Sequence, residues 1–237
     1  MQREVFDELT KAKADKRSVA LVTDVTNGRQ ALLDQDGHGL AGDLDVPGAL
    51  IPSLEAAIAG DRSGIDDNSG LFIQVFNPPL RLIIIGAVHI AQALIPMARV
   101  LGYEIVVVDP RRAWANVDRF PGVAITYDWP DEAMDKLAPD HRTAVVALTH
   151  DPKLDDPALV RALASNAFYI GALGSRRTHG KRQIRLQEHN IDPKSFARID
   201  GPIGLAIGAR SPAEIALSIL AKMTQVRQGA PLLVKAA

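Results

Sequence analysis

The stretch RLIIIGAVHIAQALIPMARVLGYEIVVVDPR, Arg81 to Arg111, decides the fold. Leu82–Ile85 is a short, wholly apolar run rich in β-branched residues, as a parallel strand buried on both faces requires. Gly86 ends it, Ile90–Leu101 carry apolar residues at helical spacing, and Ile105–Val108 form a second strand-like run that closes on Asp109. Asp109 lies 23 residues beyond Gly86, near the place where a dinucleotide fold carries its ribose-binding carboxylate. The intervening loop reads G-A-V-H-I-A, with Val88 where the second glycine would stand. That glycine lets backbone approach a pyrophosphate, and a valine side chain obstructs it. The β–α–β signal is strong and the NAD signal weak.

Outward from this unit the alternation continues. Strands are expected at 81–85, 104–108, 123–126, 143–148 and 168–171, and helices at 89–101, 130–137, 155–165, 175–188 and 211–226. The expected class is α/β, a Rossmann-like parallel sheet with helices on both faces, over residues 80–228. Asn77-Pro78-Pro79 interrupts backbone hydrogen bonding and marks a domain boundary. Residues 1–77 read as a small N-terminal α/β appendage: a helix at 3–13, strands Ser18–Thr26 and Arg29–Asp34 about an Asn27-Gly28 hairpin turn, and a turn at Asp36–Gly39. A helix over Val46–Ala59, a loose polar stretch Gly60–Gly70 and a strand Leu71–Phe76 follow. The last ~8 residues are expected to fray.

Composition narrows the function classes. The 237 residues are 47% hydrophobic and 23% charged, enough to build a sizeable core, and the formal net charge of −1 gives no electrostatic reason to expect nucleic acid or a membrane surface. No apolar run approaches the ~20 residues of a membrane span, and MQREVFDELTKAKADKR lacks a signal-peptide segment, so a cytoplasmic location is expected. With 0 cysteines, thiolate metal sites and thiol nucleophiles are excluded within this chain.

Polar residues gather where the strands end, the region in which such sheets bind ligands. Gly86 and His89 flank the start of the first helix; His89 either touches a ligand or is a half-exposed histidine at a helix start. Asp109-Pro110-Arg111-Arg112 brings a carboxylate and guanidiniums out of one strand, to hold a diol and a phosphate or to pair with each other. In Thr149-His150-Asp151, His150 points into the cleft, or Thr149 and Asp151 cap the next helix and His150 is incidental. No nucleophile neighbours it, so a hydrolytic triad has no support.

The densest cluster runs from Gly171 through Gly174, Ser175, Arg176 and Arg177 to His179, Lys181, Arg182 and Arg185. Arginines at a helix start oppose the helix dipole, so a phosphate or oxyanion shared by guanidiniums and free N–H groups is expected, the bland alternative being a solvated basic face. Ser211-Pro212-Ala213-Glu214 reads as a capping box rather than chemistry.

Together these segments resemble the XdhC/CoxI family of accessory factors for molybdenum hydroxylases such as xanthine dehydrogenase. The likeness rests on Gly86–Ala91, Asp109–Arg111 with Arg119-Phe120-Pro121, and Thr149-His150-Asp151 with Asp155 and Leu159. Tyr169–Arg176, Pro202–Leu205, Ser211–Ala216 and Ser218-Ile219 continue it, so that most of 81–223 is covered in order. The resemblance implies a chaperone that binds the molybdenum cofactor, as molybdopterin or its dinucleotide form, and delivers it to an apo molybdenum hydroxylase. It implies a non-enzymatic maturation factor working beside a cysteine desulfurase. The oligomeric state stays open, a homodimer being one option. Cofactor-binding residues are expected among Gly86, His89, Asp109, Arg111, Thr149, His150, Asp151, Gly171, Gly174, Ser175, Arg176 and Arg177, with no catalytic or metal-ligating residue. The alternative is an NAD(P)-dependent oxidoreductase, favoured by Asp109 and disfavoured by Val88. Two departures from the family pattern stand out. One is Val88; the other is Gly39–Leu44, a reduced form of the family's glycine-rich segment that usually ends in cysteine and glutamate.

Overall fold

In a computed structural model that describes residues 1–231, the chain divides into two compact units, the first ending at Pro78 and the second beginning at Pro79. Most of the terminal segment expected to fray lies outside the described residues.

The first unit contains α1 (Arg3–Ala14), β1 (Val19–Thr23), β2 (Gln30–Asp34), β3 (Gly39–Gly42), α2 (Ile51–Gly60), β4 (Gly64–Ile65) and β5 (Phe72–Phe76). Its strands form an antiparallel sheet in the order β3-β2-β1-β5-β4. The central strand β1 is apolar at successive positions because both its faces are covered. Val19 and Leu21 pack with Val5 and Leu9 of α1, and Ala20 and Val22 with Leu54 and Ile58 of α2.

Three local expectations are corrected here. Asn27-Gly28 does not form a two-residue turn: the Asp24 carboxylate accepts from Thr26 N, Thr26 Oγ1 and Asn27 Nδ2, organising a longer loop closed by Asp24 N donating to Arg29 O. The segment Gly39–Gly42 is the edge strand β3, and its glycine has a packing reason. Gly42 has φ +115°, and a Cβ there would lie 2.1 Å from the Gln30 carbonyl oxygen. The polar stretch Gly60–Gly70 contains β4, paired to β5.

The second unit runs β6 (Arg81–Ile85), α3 (His89–Val100), β7 (Glu104–Val108), β8 (Ala124–Thr126), α4 (Pro130–Leu137), β9 (Thr143–Ala147), α5 (Pro152–Ala164), β10 (Tyr169–Ala172), α6 (Arg176–Glu188), α7 (Pro193–Phe196), β11 (Ile199–Asp200) and α8 (Pro212–Gln228). Its parallel sheet has the order β11-β10-β9-β6-β7-β8. The chain therefore builds outward from β6 in one direction, then returns to the other side with β9, the strand order of a Rossmann fold. Leu82 and Ile84 face α3 and α8, where Leu94, Ile219 and Met223 meet them. Ile83 and Ile85 face the opposite layer, with Met134, Leu159 and Leu186 of α4, α5 and α6. Leu82–Ile85 are at most 1% exposed, and burial of each such side chain contributes roughly 1.5–3 kcal/mol.

The helix α5 starts earlier than periodicity suggests, because Asp151 accepts from Lys153 N and Pro152 takes the first helical position. The short elements α7 and β11 have no counterpart among the expected strands and helices.

In-register pairing brings several strand ends to one edge: Ile85 lies opposite both Val108 and Ala147, and Ala172 opposite Ala147. The ladder continues into the loops, with Gly86 N donating to Val108 O (2.9 Å), Leu148 N to Ile85 O (2.9 Å), Leu173 N to Ala147 O (2.8 Å) and Ile203 N to Ala172 O (3.2 Å).

The expected capping box opens α8: Ser211 Oγ accepts from Glu214 N and the Glu214 carboxylate from Ser211 N. Replacing Ser211 by Ala should lower stability by about 1 kcal/mol. Urea denaturation followed by circular dichroism reads this as a lower midpoint, and an unchanged midpoint would show that the box does not hold the helix.

Candidate functional site

The crevice where strand order reverses lies between the ends of β6 and β9. Gly86 (φ +109°) forms its floor, and a Cβ on it would stand 2.5 Å from Thr149 Cγ2. This glycine is needed because two loops of the protein press together. Val88, half-buried, precedes α3 without offering a side-chain cap, and His89 is exposed at the first helical position.

Asp109 is fully buried. Its carboxylate accepts from Ala87 N (2.8 Å), Arg111 N (3.0 Å), Arg111 Nε (2.9 Å) and Arg111 Nη2 (2.8 Å). Those bonds match the roughly four acceptor positions of a carboxylate, so Asp109 ties its own loop together and presents no spare oxygen to a diol. Burial raises its pKa, but the bonds from Arg111 and Ala87 outweigh it and hold the group below the usual carboxylate value. Arg119 adds a second tie, donating to the carbonyls of Ala87 (2.9 Å) and Trp114 (2.7 Å) and to Gln92 Oε1 (3.1 Å). Arg112 lies over the Tyr127 ring. Within the Asp109–Arg112 group, Arg111 is partly open to solvent with donors to spare, and Arg112 is exposed.

Thr149, His150 and Asp151 are drawn together by Asp155, which is 1% exposed. Its carboxylate accepts from Thr149 Oγ1 (2.6 Å), Thr149 N (3.3 Å) and His150 N (3.1 Å). Asp151 takes the capping role. His150 is exposed with φ +63°, the left-handed region. The other non-glycine residues with positive φ follow the ends of helices, whereas His150 precedes one. Such strain is sustained when surroundings over-determine it; here the Asp155 carboxylate holds the N–H groups of Thr149 and His150, and the Asp155 N–H donates to Asp151 O beyond them.

Behind this loop sits Arg182, 1% exposed. Its Nη2 donates to Leu173 O at 3.0 Å and lies 3.7 Å from Asp155 Oδ2, while Nε and Nη1 are buried without a hydrogen-bond partner. Arg185 pairs with Asp156 through two bonds. Burial pushes the Asp155 pKa up, against the bonds from Thr149 and the Arg182 charge, and pushes Arg182 down. The dense basic run is thus two populations: Arg182 and Arg185 are structural, and His179, half-buried, packs on Phe196. Arg176, Arg177 and Lys181 are exposed, and the two arginines have no hydrogen-bond or ion-pair partner among the described residues.

Gly171 and Gly174 serve packing. A Cβ on Gly171 would meet Ile203 at 2.5 Å, and one on Gly174 (φ +143°) would meet Thr178 at 3.0 Å. Ser175 caps α6 by accepting from Thr178 N. Beside this turn opens a cavity of about 290 Å³. It is lined by Leu173, Ile203, Leu205, Ile207 and Ile215, with Arg176 the charged residue on its wall. The sequence pattern places Pro202–Gly204 near the cleft but does not reveal this cavity, whose walls come together only in the fold.

The family described as the XdhC Rossmann domain matches residues 82–223, nearly the whole of this sheet and its helices. The chain belongs to the XdhC family. Among curated relatives, the uncharacterized protein YqeB of Escherichia coli is 32% identical over 180 residues, covering 74% of this chain and 32% of its own length. A Bacillus subtilis protein named as a probable xanthine dehydrogenase component is 26% identical over 229 residues (96% and 66%). The molybdenum cofactor insertion chaperone PaoD of Escherichia coli is 33% identical over 154 residues (64% and 42%). The chain thus spans from about one third to just under two thirds of these relatives. A crystal structure of a xanthine dehydrogenase from Bacillus halodurans superposes with a TM-score of 0.75 at 25% identity, over 96% of this chain and 68% of that one. XdhC membership fits the Rossmann strand order and the Tyr169–Arg176 and Pro202–Ile219 stretches. Among the described residues no helix is long and apolar enough to cross a membrane.

Asp155 gives this XdhC domain a testable pH signature. Its unfolded value is near 3.8 and its folded value higher, so the native state binds the proton more readily and its contribution to stability falls as pH rises through that window. Arg182→Met removes the nearby charge and should cost about 3–5 kcal/mol near pH 7. Part of the loss should return at an acidic pH above the unfolded value, as Asp155 protonates in the native state. Thermal unfolding at both pH values checks this; an equal loss at each would overturn it.

Proposed function

We propose that this protein carries the molybdenum cofactor, as molybdopterin or a dinucleotide form of it, and hands it to an apo molybdenum hydroxylase of the xanthine dehydrogenase type. The observation that carries the reading is the pair of guanidiniums, Arg176 and Arg177, without a partner among the described residues, after the Gly174-Ser175 turn, with Arg176 on the wall of a cavity lined by aliphatic side chains and backbone at the ligand-binding edge of the sheet. An anionic pterin with a phosphate tail needs both a cation and an apolar wall, and the residues present meet that need. The cofactor supplies the molybdenum redox chemistry of the enzyme that receives it. The relative named as an insertion chaperone supports the same reading.

In this reading Arg176 and Arg177 hold the anionic end, with the N–H groups of the first turn of α6 beside them. Arg111 offers its remaining donors from across the crevice, oriented by Asp109. His89 and His150, both exposed, stand at the rim. Gly86, Gly171 and Gly174 shape the loops, and Thr149 and Asp151 set the backbone between the two sides. No residue is assigned a bond-breaking step. With 0 cysteines the chain has no thiol to carry a persulfide, so sulfuration of the cofactor falls to a separate cysteine desulfurase. The oxidoreductase alternative loses its main support, because Asp109 is consumed internally and Val88 remains at the second glycine position.

The test uses protein purified from a host that makes the cofactor. Oxidation and release should give pterin fluorescence co-eluting with the wild type, and Arg176→Glu should cut it roughly ten- to a hundredfold while leaving circular dichroism unchanged. Titration with NAD or NADP should show no saturable binding at micromolar concentration. Tight nicotinamide binding without co-purified pterin would overturn the proposal.

A further inference from the structure

The cavity beside α6 is built by the loop that links β11 to α8. Asp200 anchors its first turn, accepting from Tyr169 Oη (2.6 Å) and Gly204 N (2.8 Å). Gly204 (φ +88°) then runs so close to α8 that a Cβ would stand 2.5 Å from Ser218 Oγ, and Leu205 N donates to Ser218 O at 3.1 Å. Beyond that contact the chain lifts away. Ile207 N donates back to Leu205 O at 2.8 Å in a three-residue turn, and Gly208 (φ +76°) reverses the direction. Leu205 and Ile207 line a slot together with Leu173 and Ile215. These fixed points make the slot preformed, which lowers the ordering cost of filling it.

Its lining combines aliphatic side chains with polar backbone groups. The wall is aliphatic apart from backbone and Ser218, whose hydroxyl already donates to Ile215 O at 2.8 Å. Arg176 is the one charged side chain lining it among the described residues. A volume of about 290 Å³ falls at the lower end of small-molecule sites, roughly 300–1,000 Å³. It admits a single ring system. It does not admit a dinucleotide or a folded peptide. A small inorganic anion would meet one cation and leave the aliphatic wall unfilled.

We infer that this slot takes the fused-ring end of an anionic ligand, with Arg176 meeting the acidic group at the mouth. The inference rests on the cofactor-carrying reading and deepens it: the pterin ring is the part sheltered, so the rest of the ligand extends toward solvent, where a receiving enzyme can reach it. The aliphatic wall excludes water from the ring faces, and the loop backbone at the rim supplies its polar partners.

The probe is pterin-6-carboxylate, whose own fluorescence anisotropy reports binding to the full chain. Wild type should bind it saturably, and inorganic phosphate should compete only weakly. Ala209, on the slot wall, is replaced by Phe to fill the space and by Ser to leave it open. Ala209→Phe should weaken binding at least tenfold, Ala209→Ser should keep it within about twofold, and Arg176→Ala should weaken it about tenfold. Should Ala209→Phe fail to fold, Ile207→Asp, at an exposed position, should weaken binding by a similar factor. Equal affinity of the Phe and Ser variants, or of the Asp variant and wild type, overturns the inference. Cofactor content separates the two readings. Pterin co-purifying equally with wild type and Ala209→Phe sinks the slot and spares the carrier function. Pterin absent from the wild type sinks the carrier function, and the slot is then judged on the pterin-6-carboxylate titration.

Discussion

The Asp109 carboxylate, cut off from solvent at the exit of β7, accepts from the Ala87 backbone on one side and from three donors of Arg111 on the other. A buried carboxylate left without such partners would be costly, so the loop after β6 and the loop after β7 are obliged to close around it. Arg119 reinforces the closure from behind by holding the Ala87 carbonyl. The crevice edge is consequently tied together by the protein's own groups. The same residue type at this position in a dinucleotide enzyme faces outward to a ribose; here it has turned inward and become a joint.

A similar joint operates one strand further along. Asp155 holds the Thr149–His150 backbone, and Arg182 lies between Asp155 and the Leu173 carbonyl. Neither group is well solvated, and burial dominates both of their titrations. A pair of this kind contributes little net stability but penalises the loss of either member heavily. It fixes the relation of two adjacent loops, beside which Arg176 and Arg177 stand without a partner among the described residues.

Much of this was legible in the chain itself. β6, α3 and β7 follow from two apolar runs around helical spacing, and α8 follows from its capping box, because those signals are local. The four-residue α7 and two-residue β11 were not legible: the first depends on the Asp192 side chain accepting from Lys194 and Ser195, the second on pairing with Ile170 and Gly171. The site was half legible. Strand ends announced where polar groups gather, but not which of them face outward. Asp109 looked like a ligand-binding carboxylate because its sequence spacing is the same whether it points in or out. The basic run of α6 looked uniform, although Arg182 and Leu186 share the inner face at a spacing of four residues. The adjacent acids Asp155-Asp156, set among Leu154, Ala158 and Leu159, were the signal that a buried cation would be needed.

Three glycines face atoms that leave no room for another carbon: Gly86 faces Thr149, Gly171 faces Ile203 and Tyr169, and Gly204 faces both the side chain and the backbone of Ser218. These contacts join segments distant in the chain, so each couples the evolutionary freedom of two positions. A larger residue at Gly86 or Gly171 is tolerable only after the facing side chains have shrunk, whereas at Gly204 the backbone of α8, 2.9 Å away, bars it whatever Ser218 becomes; the positive φ of Gly86 and Gly204 narrows the choice further. Drift at Gly86 and Gly171 is therefore confined to coupled steps in a set order, with the facing side chains retreating first.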